Sequence, residues 1–252
     1  MTFNSDRRVR LVTVAIGVTG LIAVGIAPAA AQDISVNFGQ GSGLTERVIQ
    51  LIALLTVLSL APSILVMMTS FTRIIVVLSL LRTALGTATA PPNAVIVSLA
   101  LFLTAFVMGP AFQRAYDVGV KPMIANEITA EQAFERSAGP FKEFMLKNVR
   151  DKDLKLFNDL AKEPVPATPE GVSLRILIPA FMISELKRAF EIGFLLFLPF
   201  LIIDLVVASV LMSMGMMMLP PVVVSLPFKL IFFVLVDGWS LVAGSLVQSY
   251  GG

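Results

Sequence analysis

Long apolar runs set the terms for this chain. Residues 48–68, 91–110, 192–214 and 222–247 are each dominated by apolar side chains, and each is close to the ~20 residues needed to cross a bilayer core. Of the 252 positions, 56% are apolar and only 14% charged, where an average soluble domain has about a quarter charged. One globular core cannot absorb that much apolar surface. The chain therefore reads as an all-α membrane protein, because in lipid a backbone must satisfy its own hydrogen bonds. Four spans is the economical count, and it leaves both ends of the mature chain outside. Arg73 and Arg82, which flank IIVVLSLL (74–81), then fall inside, as the positive-inside tendency requires.

The chemistry open to the chain is narrow. It has no cysteine and no histidine, which removes thiol nucleophiles, disulfides, imidazole acid–base catalysis and zinc sites built on Cys or His. No enzyme activity, cofactor or metal is expected. Residues 1–31 read as a secretory signal: Arg7, Arg8 and Arg10 precede the apolar run 11–26, and Ala29-Ala30-Ala31 offers a cleavage site before Gln32. A short polar start, 32–44, follows. Removing the signal takes away three basic residues and Asp6, leaving 16 of each sign. The mature chain thus gives no electrostatic reason to bind nucleic acid.

Two hydrophobic helical segments are expected over 45–112, then an insertion of different character. Residues 113–172 hold nine basic and ten acidic side chains of the 36 charged residues in the chain. TAEQ (129–132) matches a capping box, with Thr129 as N-cap and Gln132 three positions later. Phe134, Phe141, Phe144, Met145 and Val149 recur at helical spacing, and Leu154, Phe157 and Leu160 form a second set. The segment reads as a small water-facing helical insertion, with EPVPATPEG (163–171) leading back to a C-terminal helical hairpin over 173–252.

Charges inside the apolar runs are few. Glu185, Lys187, Arg188 and Glu191 stand at the mouth of the third run, with Asp204, Lys229 and Asp237 deeper. The first four are spaced for i,i+3 and i,i+4 pairing on a helix. Asp204 and Lys229 lie on consecutive runs, nearly equidistant from the connecting loop, so a hairpin brings them to one depth. A charge in hydrocarbon costs several kcal/mol, so such groups pair or face protein. One reading makes Asp204 part of a proton or ion path, as in a small channel or transporter. The other, a structural pair fixing the hairpin's register, is favoured, because a relay needs more than one carboxylate along a line.

The loop itself is unusual: LMSMGMMMLPP (211–221) carries five of the twelve methionines. Lipid contact gives no reason to prefer Met over Leu. A soft-metal site built on thioethers alone is a second reading. The third is a deformable closure, since methionine is unbranched and adapts to whatever touches it, and a ring of such side chains would exclude water by dewetting. Gly215 lets the backbone bend, and Pro220-Pro221 keeps the tip a loop. One loop cannot encircle a pore, so this reading requires several copies around an axis.

Three blocks carry a resemblance: SFTRIIVVLSLLRTALGTATAPPN (70–93), LIPAFMISELKRAFEIGFLLFLPFLIIDLVVASVLMSMGMMMLPP (177–221) and SLPFKLIFFVLVDGWSLVAGSLVQSY (225–250). Together they closely resemble the FliP/SctR family of type III secretion export-gate subunits. The resemblance implies a pore-forming subunit of the flagellar export gate in the cell inner membrane at the basal body, passing unfolded proteins as cargo. It implies assembly as a ring of about five copies with FliQ- and FliR-like subunits. It also implies bent hairpins packed in a cone rather than four ordinary spans, with which Pro179 and Pro199 are compatible. By the same resemblance Met214, Met216, Met217 and Met218 are the gasket, and Asp204 and Lys229 the membrane-embedded acid and base. Glu185 with Arg188 belongs to a charged assembly helix, and Phe144 and Phe157 pack the periplasm-side segment.

Overall fold

The structure, a computed structural model, describes residues 44–87, 89–162, 168, 171–216 and 218–251. The expected signal, the polar start up to residue 43 and most of the proline linker lie outside the described residues. Regular structure among those residues is helical throughout: α1 (Leu44–Met67), α2 (Phe71–Ala84), α3 (Asn93–Ala115), a π-helical turn (Tyr116–Val120), α4 (Lys121–Ile124), α5 (Ala130–Asn148), α6 (Asp151–Ala161), α7 (Leu174–Ser213), α8 (Pro221–Leu235) and α9 (Gly238–Gly251). The chain divides within α1, after Ala53; the architecture below is that of Leu54 onward.

The core is built around α2. Ile74, Val77, Leu78, Leu81 and Ala84 recur at i,i+3 and i,i+4 and are buried, which gives the helix an inward stripe. They meet Ile96 and Ala100 of α3, Ala189 and Phe200 of α7, Phe233 of α8, and Val242, Leu246 and Tyr250 of α9. The two arginines that flank 74–81 are both engaged by groups of this fold. Arg73 is 1% exposed, and Arg82 donates to Asn93 Oδ1 (2.5 Å) and to the Pro91 carbonyl (3.2 Å). Both cations are committed to protein partners, and neither is a free loop charge facing a compartment.

The expected spans are redrawn as well. α3 continues through the π turn and α4 as one 32-residue helical stretch to Ile124, well past the expected start of the insertion at 113. α7 runs unbroken for 40 residues through Pro179 and Pro199, about 60 Å at 1.5 Å per residue. That is roughly twice the hydrocarbon thickness of a bilayer, so the expected third span, 192–214, is only its second half. The expected fourth span is broken: α8 and α9 meet at an angle of 63°. Among the described residues, two helical stretches are long and apolar enough to cross a membrane, three if the bent pair is one span.

The insertion is seated on the first half of α7. Thr129 and Gln132 form the reciprocal capping box at the start of α5. Phe141 and Met145 of α5 are buried against Met108, Ala111 and Ala115 of α3 and Ile176, Leu177 and Phe181 of α7, with Phe144, Val149, Leu154 and Phe157 packed against them. Phe134 and Leu160 are not part of this face. They are 77% and 68% exposed and point away from the packed face, although the adjacent Ala133 is buried and Ala161 packs against the cluster.

Candidate functional site

The methionine loop is held open at both ends. At the end of α7, Gly215 adopts φ of +73°, and two hydrogen bonds close the turn: Gly215 N–H to the Met212 carbonyl (3.1 Å) and Met216 N–H to the Leu211 carbonyl (3.0 Å). This is the paired 5→2 and 6→1 pattern that ends a helix on a left-handed residue, and it explains why a glycine stands here. Pro220 is the N-cap of α8 and Pro221 its first residue, where a missing N–H costs nothing. Between these stops Met214, Met216 and Met218 are 56%, 45% and 98% exposed; Met217 lies outside the described residues. Met214 also closes one end of an apolar groove of about 490 Å³ lined by Ile202, Val206, Val210, Val224 and Phe228.

Behind the loop, α7 and α8 are tied by polar groups. Lys229 Nζ lies 2.7 Å from Asp204 Oδ2 and donates to the Ala84 carbonyl at 3.1 Å, at the end of α2. Ser225, one turn before Lys229, donates to the other carboxylate oxygen of Asp204 at 2.5 Å. Lys229 is buried, while the Asp204 side chain stays 29% exposed. The ion pair thus pins the hairpin to the end of α2, with Asp204 ten residues before the methionine loop begins at Met214.

A second cluster, fully enclosed, lies in the first third of α7. Glu185 receives Arg73 Nε (3.0 Å) and Nη2 in a two-pronged pair, and also the Tyr250 hydroxyl. Both members of the pair are buried. The expected Glu185–Arg188 partnership is corrected. Arg188 is half-buried on the same helix without pairing to Glu185, because the rigid guanidinium fork of Arg73 takes both carboxylate oxygens. Of the spacings on this helix, Lys187–Glu191 forms an exposed pair at 3.2 Å, a geometry worth only about 0.3–0.5 kcal/mol.

Ser184, the preceding residue, serves the insertion instead. Its hydroxyl donates to Asp153 Oδ2 (2.6 Å) and accepts from the Arg150 N–H (3.0 Å), while the Arg150 guanidinium binds Asp153 through two nitrogens. Burial alone would raise the Asp153 pKa, but the hydrogen bonds from Ser184 and Arg150 and the charge of Arg150 outweigh it and hold the carboxyl below its ordinary value. Phe144 joins the two regions, edge-on to Phe181 at 6.0 Å and stacked with Tyr250 at 5.7 Å, and Phe157 packs beside Phe181's cluster.

Arg73, Ser184, Asp153 and Ser225 all escaped sequence reasoning. Each is an ordinary polar residue with a partner 21 to 112 positions away; the Arg150–Asp153 contact, at i,i+3, is local. Comparison with known proteins adds identity to this geometry. A model described as the FliP family matches residues 54–246. A flagellar biosynthetic protein FliP of Caulobacter vibrioides is 64% identical, covering 93% of this chain and 90% of that protein. One from Pectobacterium carotovorum is 60% identical over 85% of this chain and 82% of its own length. One from Bacillus subtilis is 55% identical over 80% and 91%.

Proposed function

The chain belongs to the FliP family, and from that premise we propose that it is a flagellar biosynthetic protein working as a pore-forming subunit of the protein export gate in the inner membrane. Several copies, about five by the family resemblance, place their methionine loops on one axis with FliQ- and FliR-like subunits around them. Unfolded flagellar proteins are the cargo, and the α5–α6 insertion faces the periplasm. The observation that carries this reading is the loop itself. Met214, Met216 and Met218 project from a turn fastened by Gly215 and two prolines, and among the described residues all three stay exposed, Met218 almost entirely. Flexible thioethers left uncovered in one chain suit a seal completed by neighbours.

The Asp204–Lys229 pair supports this reading more than a proton path. Asp204 is already engaged by two donors, which suits a structural anchor for the hairpin. Deleting Met216–Met218 is expected to make cells permeable to small solutes while subunits still assemble. Asp204→Asn is expected mainly to lower the yield of assembled complex. Unchanged permeability and unchanged export after the deletion would refute the gasket.

A further inference from the structure

α9 is attached in an unusual way. At its start the chain breaks at Val236–Asp237, where the axes turn by 63°. Asp237 holds φ of +51°, a left-handed conformation uncommon for a residue with a side chain. Gly238 is pressed on the Phe233 ring so closely that a Cβ would lie 2.2 Å from it. Beyond this break α9 buries one stripe, Gly238, Val242, Leu246 and Tyr250, at strict i,i+4 spacing, and leaves Leu241, Ser245 and Gln248 outward. The last member of the stripe carries the polar lock. Arg73 lies 3.8 Å over the Tyr250 ring and donates to the Ser249 hydroxyl (2.9 Å) and carbonyl (3.3 Å). The Tyr250 hydroxyl donates to Glu185 and to the Ser70 carbonyl.

We propose that α9 is a hinged strap, pivoting at Asp237–Gly238 and latched at Ser249–Tyr250, that can unseat as a unit while the remaining helices keep their packing. Seated, it completes the hydrogen bonding of Arg73 and Glu185 and presents a closed, neutral surface. Unseated, it strips Arg73 of its aromatic face and two acceptors and strips Glu185 of a donor. A buried charged network left half satisfied is unfavourable, so the isolated protomer keeps the strap shut. A partner subunit that offers its own groups to Arg73 and Glu185 can compete for the same positions. The strap stands apart from the gasket reading and does not rest on it.

The absence of cysteine in the chain allows a direct test. Ser70 is fully buried and its hydroxyl has no hydrogen-bond partner, so Ser70→Cys removes no interaction and places a thiol beneath the latch. Val172→Cys, buried in the other cluster with the insertion, serves as reference. Maleimide labelling of the full-length protein in membranes then reads each site. Adding Tyr250→Ala to the Ser70→Cys variant is expected to speed its labelling by about tenfold or more, as local opening requires. The same addition to Val172→Cys should leave the reference thiol protected. Tyr250→Phe, which keeps the ring under Arg73, is expected to leave labelling at position 70 within about threefold of the parent. If Tyr250→Ala makes both thiols reactive together, α9 is merely part of one cooperative core and the strap is wrong. If the thiol at position 70 stays protected beside Tyr250→Ala, the latch is wrong.

Discussion

Glu185→Gln tests the buried pair at its most exposed point of logic. The substitution keeps the shape of the side chain and one acceptor, but it leaves the Arg73 guanidinium, itself 1% exposed, without a counter-charge. Breaking a buried pair in this way costs about 3–5 kcal/mol, and the acceptor retained by glutamine places the expectation near about 3 kcal/mol at the lower end of that range. At roughly 2–4 °C per kcal/mol for a chain of this size, the melting temperature in detergent should fall by about 6–12 °C. Removing the stranded charge as well should reverse most of the loss: Arg73→Met with Glu185→Gln is expected to return to within about 1 kcal/mol of the parent, since apolar replacements of buried pairs are often neutral. Circular dichroism at the helix band, with temperature ramped, measures both. A single variant that melts like the parent, or a double variant no more stable than the single, would refute the argument that buried Arg73 depends on Glu185 as its counter-charge.

Two other outcomes are expected. Among the described residues a Cβ on Gly215 meets nothing within 4 Å, yet Gly215→Ala must hold φ of +73°, so it should cost about 1 kcal/mol through backbone strain alone, with Gly215→Asn milder; thermal unfolding of the two side by side decides it. Because the Asp153 pKa is depressed in the fold, its stabilisation of the α6–α7 contact is fully present above its ordinary value of 3.8 and is lost as pH falls through the lower folded value. The protection of α6 against proteolysis in Asp153→Asn should therefore differ most from the parent near neutral pH and converge with it in strong acid.

What the sequence determined by itself is what depends on near neighbours. Helical class followed from apolar runs of membrane-spanning length whose backbone must satisfy its own hydrogen bonds, the α5 start from Thr129 and Gln132, and the ends of the methionine loop from Gly215, Pro220 and Pro221. Even Asp204 and Lys229 could be paired on paper, because a hairpin maps distance from its tip onto depth. Tertiary structure alone decided the rest. Hydropathy counts apolar residues without knowing whether lipid or protein covers them, so α2 read as a connector between spans although it is the centre of the core. It also gave no sign that α7 continues for 40 residues, or that the last apolar run breaks at a single Asp-Gly step. The Arg73–Glu185 pair joins residues 112 positions apart. Its partners are chosen by which helices meet, and that choice is made by packing across the whole chain, where no local spacing can record it.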